Sequence, residues 1–139
     1  MSSTVNHLDR LAAQKAQAII ANTKDKKASD VENTVTKALG VLQENGVYAC
    51  FLYLLAKEKE KGKKVVEEML NLLEELGFDW GKPISDKPED ILKYIIEKVT
   101  VDLERLLLAK ETLEQMLIYA RYGAKASQQD KKNDEQEAS

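Results

Sequence analysis

Apolar residues recur at helical spacing through most of the chain. From Val5 to Ile19 they fall at Val5, Leu8, Leu11, Ala12, Ala16 and Ile19, the stripe of one helix face. Ser3 or Thr4 is the expected N-cap, and the polar run from Asn22 to Lys27 is the expected end. Ser29 then opens Ser-x-x-Glu with Glu32, which reads as a capping box ahead of Val31, Val35, Ala38, Leu39 and Leu42. The second helix should stop at Asn45-Gly46, because glycine takes the left-handed conformation of a helix end without a Cβ penalty.

The next segment, Val47–Ala56 (VYACFLYLLA), is apolar on every side. Ten residues of helix reach about 15 Å, and a helix with no polar face belongs in the centre of a domain. A buried strand is the alternative, since period alone does not assign a short apolar run. The Leu/Ala content and the charged stretch Lys57–Lys61 favour a helix that emerges into water. Lys64–Leu76 follows with Val65, Val66, Met69, Leu70, Leu73 and Leu76 on one face, closed by Gly77. Phe78 and Trp80 are expected to fold back as apolar plugs. Pro83 enforces an irregular link, and Asp86-Lys87-Pro88 looks like a restart with proline in the first turn.

From Glu89 to Lys125 the apolar face reads Ile91, Ile95 and Val99, then Leu103, Leu106, Leu107, Leu113, Met116, Leu117 and Ala120. The β-branched Val99-Thr100-Val101 predicts a break, with Thr100 capping a long final helix and Gly123 near its end. Residues 127–139 (SQQDKKNDEQEAS) hold one Ala and nothing larger that is apolar. Such a tail buries too little surface to offset its ordering entropy and is expected to be disordered. The predicted architecture is all-α: a compact bundle of five to six helices with a central apolar helix, one domain over residues 1–126.

Composition narrows the chemistry. The 139 residues include 6 Gly and 2 Pro, few for a fold of short strands and tight turns. One histidine, His7, and one cysteine, Cys50, cannot furnish a His/Cys zinc site or a disulfide framework. A ferritin-like di-metal bundle needs a Glu-x-x-His motif from each of two helices, so no metal or other cofactor is expected. No basic region followed by an apolar stretch opens the chain, and no apolar run approaches the roughly 18–20 residues of a membrane span. A soluble, cytoplasmic protein without membrane contact is expected.

Several motifs invite a sharper reading and lose it on inspection. Gly77-Phe-Asp-Trp-Gly81-Lys82-Pro83 echoes a phosphate loop, but proline stands where Ser/Thr must bind magnesium, and a helix precedes it instead of a strand. Glu67-Glu68 and Glu74-Glu75 suggest acid/base work, yet each pair includes solvent-side positions of an amphipathic helix. His7 reads as a surface histidine. Cys50, inside the most apolar segment, reads as a small hydrophobe with no base to activate it. No enzyme is expected.

Charge supplies the remaining signal. The net charge is −3, divided as +4 over residues 1–64 and −7 over residues 65–139. The acidic balance argues against a protein that coats nucleic acid alone, though not against a local basic patch within an assembly. Two lysine clusters stand out: Lys24/Lys26/Lys27, and Lys57/Lys59/Lys61/Lys63/Lys64. Glu58 and Glu60 interleave the second, which makes a solvated helix exit its commoner explanation.

The order of features resembles a known family. Arg10-x-x-Ala13 lies within LDRLAAQKAQAII; a capped helix ends in Asn45-Gly46 and leads at once into VYACFLYLLA. Trp80 follows an amphipathic helix, and the closing helix carries Lys110-Glu111 and then LIYARYGAKA, Leu117 to Ala126. Over roughly residues 5–126 this resembles the small all-helical subunit of the type III-B CRISPR Cmr RNA-silencing complex. The family often has an aromatic in its first helix, where this chain has Ala and Gln, and a Trp in its closing helix, where it has Tyr119 and Tyr122. The related small subunit of the type III-A Csm complex is the neighbouring alternative.

The resemblance implies a non-catalytic role in antiviral defence. Copies of the small subunit would stack with one another and beside the other Cmr subunits, lining a channel for target RNA paired to guide RNA. Base pairing would read the sequence, leaving the protein to supply shape and backbone contacts. Stacking head to tail needs two different complementary patches on one monomer. By the same resemblance, the target strand is expected to meet Arg10 and Lys15 on the first helix and Arg121 and Lys125 near the end of the last. Lys24, Lys26 and Lys27 form the competing contact. A helical protein-interaction adaptor with no nucleic-acid role is the alternative function.

Overall fold

The computed structural model describes the backbone of residues 2–138 and the side chains of residues 7–130 and Asn133. Helix α1 (Ser2–Asn22) buries Leu11, Ala12, Ala16 and Ile19, as its apolar stripe predicts. The cap expected at Ser3 or Thr4 lies outside the described side chains. Thr23 ends the helix by donating its hydroxyl back to the Ile19 carbonyl at 2.7 Å.

Helix α2 (Ala28–Asn45) begins one residue before the expected capping box. Lys27 occupies the N-cap position with extended backbone, so Ser29 already lies inside the helix and makes no capping hydrogen bond. Glu32 instead accepts a hydrogen bond from Gln128 at 3.4 Å, because this face of α2 meets the end of the chain's last helix. Gly46, at φ 97, ends α2 and starts α3 (Val47–Lys57) without an intervening loop. A side chain there would meet the left-handed penalty that glycine lacks.

Helix α3 buries Val47, Cys50, Phe51 and Leu54, and among the described residues there is no strand. Its outer side stays in water: Tyr48 and Leu52 are 37% and 45% exposed. An all-apolar sequence guarantees that some face is buried, but neighbours on one side alone cover only half of a cylinder. Helix α4 (Glu60–Glu75) is amphipathic and buries Val65, Val66, Met69, Leu72 and Leu73. Beyond it, Trp80 is buried and its ring centroid lies 4.9 Å from that of Phe78, so both fold back as plugs.

Pro88 opens the short helix α5 (Pro88–Tyr94), which passes into a π-helical turn, Ile95–Val99. Thr100 closes that turn through its N–H to the Ile95 carbonyl at 3.1 Å, and its hydroxyl donates to the Ile96 carbonyl at 2.8 Å. Thr100 therefore ends the preceding segment instead of capping the next. Asp102 starts α6 (Leu103–Ala138), accepting the Arg105 N–H at 3.0 Å.

Helix α6 is the spine, packed along both α1 and α2. Leu113, Met116, Leu117, Ala120 and Ala124 form its buried stripe, whereas Leu103 and Leu107 are exposed, about 90° and 130° around the helix from the middle of that stripe, while Leu106 between them packs on the core. The helix does not end near Gly123. It continues through the stretch read as a disordered tail to Ala138. Ser127 and Gln128 hydrogen-bond to Gly123 and Glu32, and the stretch beyond contains neither Gly nor Pro to stop propagation.

Two pairs of contacts fix helix directions. Lys15 of α1 pairs with Glu75 of α4, and Asn22 donates to Glu68 at 3.3 Å, so α1 and α4 run antiparallel. The Cys50 thiol donates to the Ala38 carbonyl at 3.4 Å, and Thr34 donates to Glu58 at 3.3 Å, so α2 and α3 also run antiparallel.

Candidate nucleic-acid interface

Helices α1 and α6 cross where small residues allow close approach. A Cβ added to Gly123 would lie 3.1 Å from Ile20 Cγ1. Toward the start of α1 the Tyr119 hydroxyl donates to the Asp9 carboxylate, a tie between positions 110 apart in sequence. That bond, together with burial, holds the Tyr119 phenol above its ordinary pKa. Along these contacts and past them, Ala13, Gln17, Ala21 and Lys24 help line an open groove of about 560 Å³. A smaller hollow of about 110 Å³ continues past Ile20 to Lys26, Ala28 and Ser127.

The four basic residues assigned by resemblance do not converge on this groove. Arg10 is exposed on α1, five positions from Lys15. At 3.6 residues per turn that spacing rotates Lys15 about 140° around the helix, and its ammonium is held by Glu75. Arg121 lies two residues from both Tyr119 and Gly123, about 200° around α6 and away from the groove. It is half-buried, and its Nε is buried without a hydrogen-bond partner. Lys125 is exposed, its ammonium 6.0 Å from the Tyr122 ring centroid, within cation–π reach.

The competing cluster is better placed. Lys24 borders both hollows, Lys26 borders the second, and Lys27 is exposed at the start of α2. The loop between α1 and α2 holds all three together at the far end of the groove from Asp9. Lys26 makes only a sequence-neighbour ion pair with Asp25 at 3.6 Å. Sequence spacing already put these three side by side. What it lacked was the groove, which forms only when α6 crosses α1.

The motifs weighed for catalysis make these contacts. Lys82 of the phosphate-loop echo pairs with Glu74 at 3.7 Å, and the Gly81 carbonyl accepts the Tyr94 hydroxyl at 2.9 Å. That tyrosine is pushed up to about 12 by burial and the Glu74 charge. Glu67, Glu74 and Glu75 are exposed as expected, but Glu68 is 6% exposed. It is tolerated there because Asn22 and Asn71 donate to its two oxygens at 3.3 and 3.1 Å. Cys50 is buried, and burial pushes its thiol up to about 12, so it is not poised as a nucleophile. His7 is exposed on α1. Among the described residues no three His, Cys, Asp or Glu side chains group as a metal site, and no helix is long and apolar enough to cross a membrane.

No protein-family model, no curated protein and no solved structure matches the chain.

Proposed function

We propose that this chain is a non-catalytic small subunit of a type III-B, Cmr-like RNA-silencing ribonucleoprotein. It contributes a rigid helical wall to the target-RNA channel, beside further copies of itself and the other Cmr subunits. One observation carries this reading. Two of the stretches behind the resemblance, LDRLAAQKAQAII and LIYARYGAKA, lie far apart in sequence yet pack on each other through Asp9–Tyr119 and Ile20–Gly123. A groove runs between them and ends at the lysines of the α1–α2 loop. Contacts of that kind suit a phosphate backbone, which needs positive charge at a rigid surface and no base-specific donors.

A second reading, a protein-interaction adaptor without nucleic acid, draws on a different feature. Ile96, Val101, Leu103 and Leu107 are between 51% and 72% exposed around the junction of the π-helical turn and α6. Apolar surface of this kind commonly marks a contact with another protein, and either function would use it. Purification of the tagged chain from its native host separates the two. Recovery with guide RNA and a multi-subunit ribonucleoprotein supports the first reading, and recovery with protein partners alone overturns it.

A further inference from the structure

We infer that the two lysine clusters, separate in sequence, form one basic end of the bundle that binds the phosphate backbone of single-stranded RNA. This assignment rests on the RNA-subunit reading and names the surface that the strand crosses. Two independent registers put the clusters at the same end. Asn22, the last residue of α1, meets Glu68 of the antiparallel α4. Continuing from Asn22 leads into Lys24, Lys26 and Lys27. Going back along α4 from Glu68 reaches Lys64 after about 6 Å at 1.5 Å per residue, and Lys61 one turn later. On the other side, Thr34 in the second turn of α2 donates to Glu58 at the close of α3. That bond sets the α3–α4 corner beside the start of α2, where Lys27 lies.

Eight lysines at this end, Lys24, Lys26, Lys27, Lys57, Lys59, Lys61, Lys63 and Lys64, stand against three carboxylates, Asp25, Glu58 and Glu60. Glu58, which interleaves the second cluster, turns inward and accepts hydrogen bonds from Thr34 at 3.3 Å and Tyr53 at 3.2 Å. Lys57, Lys59 and Lys63 are exposed, and Lys61 and Lys64 half-buried. None of these five is in an ion pair among the described residues, and of the first cluster only Lys26 is, with its neighbour Asp25. Asp25 and Glu60 are the exposed carboxylates within the two clusters. Neither cluster contains an arginine fork for a base edge or an aromatic platform for stacking. Lysines alone act as point charges on phosphate, so the contact is insensitive to sequence.

The test uses the full chain and a fluorescent single-stranded RNA of mixed sequence, with affinity followed by anisotropy across a salt series. Lys24→Gln/Lys27→Gln and Lys59→Gln/Lys63→Gln are compared with Arg10→Ala/Arg121→Ala, after thermal melts confirm that each variant is folded. Each lysine pair is expected to weaken binding and to lower the magnitude of the log-affinity against log-salt slope by about 1.4, two contacts at roughly 0.7 each. A second RNA of unrelated sequence should give the same values. If the Lys59/Lys63 variant keeps the wild-type slope, the composite surface is overturned while the RNA-subunit reading stands. If wild-type protein binds no RNA but self-associates in a salt-sensitive way that the lysine variants abolish, the end belongs to a second copy and the inference fails. Co-purification with guide RNA tests the underlying reading independently of these results.

Discussion

Gly62→Ala is expected to destabilise the fold, although alanine is the better helix former. Gly62 lies in the first turn of α4, in a stretch, Glu-Lys-Gly-Lys-Lys, that reads as a solvated helix exit. Propensity alone would favour alanine by about 1 kcal/mol. In the structure a Cβ at this position would lie 2.5 Å from Glu58 Cβ and 2.9 Å from the Leu54 carbonyl oxygen. Carbon atoms prefer separations of about 3.5–4.0 Å, so the α3–α4 corner must open by about 1 Å. Neither neighbour is a loose side-chain end: one is backbone, and the other belongs to the glutamate that Thr34 and Tyr53 hold.

Overpacking of this kind costs about 1–3 kcal/mol, and displacing Glu58 weakens two hydrogen bonds worth about 0.5–1.5 kcal/mol each. After the propensity gain, a net loss of about 2 kcal/mol remains. At about 4 °C per kcal/mol for a chain of this size, Tm should fall by about 8 °C. Gly40→Ala is the internal comparison. It lies in the middle of α2 with nothing within 4 Å of its added Cβ. There the propensity gain is unopposed, and Tm should rise by about 4 °C. Circular-dichroism melts of both variants decide the matter. A Gly62→Ala protein that melts at or above wild type would refute the close approach of α3 and α4.

Three further substitutions test other parts of the fold. Asp102→Ala removes the acceptor of the Arg105 N–H and should cost about 0.5–2 kcal/mol; Thr100→Ala should cost less in a urea melt, and the reverse order would restore Thr100 as the cap of α6. Burial raises the Cys50 thiol from 9.0 to about 12, so above about pH 9 the unfolded chain has released a proton that the folded chain still holds. Stability therefore falls as pH rises from about 9 toward 12, with a slope of up to about 1.4 kcal/mol per pH unit from this group. Cys50→Ala should show a shallower loss of stability between pH 9 and 10.5, and an unchanged slope would mean that the thiol is open to water.

Local order in the chain determined much of the fold. Helical spacing delivered the helices because burying an apolar stripe favours one period over all others, and Gly46 and Pro88 marked boundaries through backbone constraints that act within a residue or two. The apolar run at Val47–Ala56 likewise announced a helix in the core. Capping was less legible, since Ser29 and Thr100 have the right chemistry, but Lys27 and Asp102 hold the right backbone positions. A cap depends on where the chain turns, and tertiary packing sets that turn.

Tertiary structure alone decided which surfaces exist. Leu103 and Leu107 are as apolar as the buried leucines of α6 yet stand in water, because they lie about 90° and 130° around the helix from the middle of its buried stripe. Glu68 sits on an apparent solvent face yet is buried, because Asn22 of α1 arrives to donate to it. Arg10, Lys15, Arg121 and Lys125 look equivalent in sequence, but rotation around two helices and the Lys15–Glu75 pair separate them. Lys24–Lys27 and Lys57–Lys64 look unrelated, and antiparallel packing of α1 on α4 and α2 on α3 brings them to one end. Hydrophobic period is a property of neighbours three and four residues apart, whereas a charged surface is a sum over whatever the fold assembles, so the first was readable in the chain and the second was not.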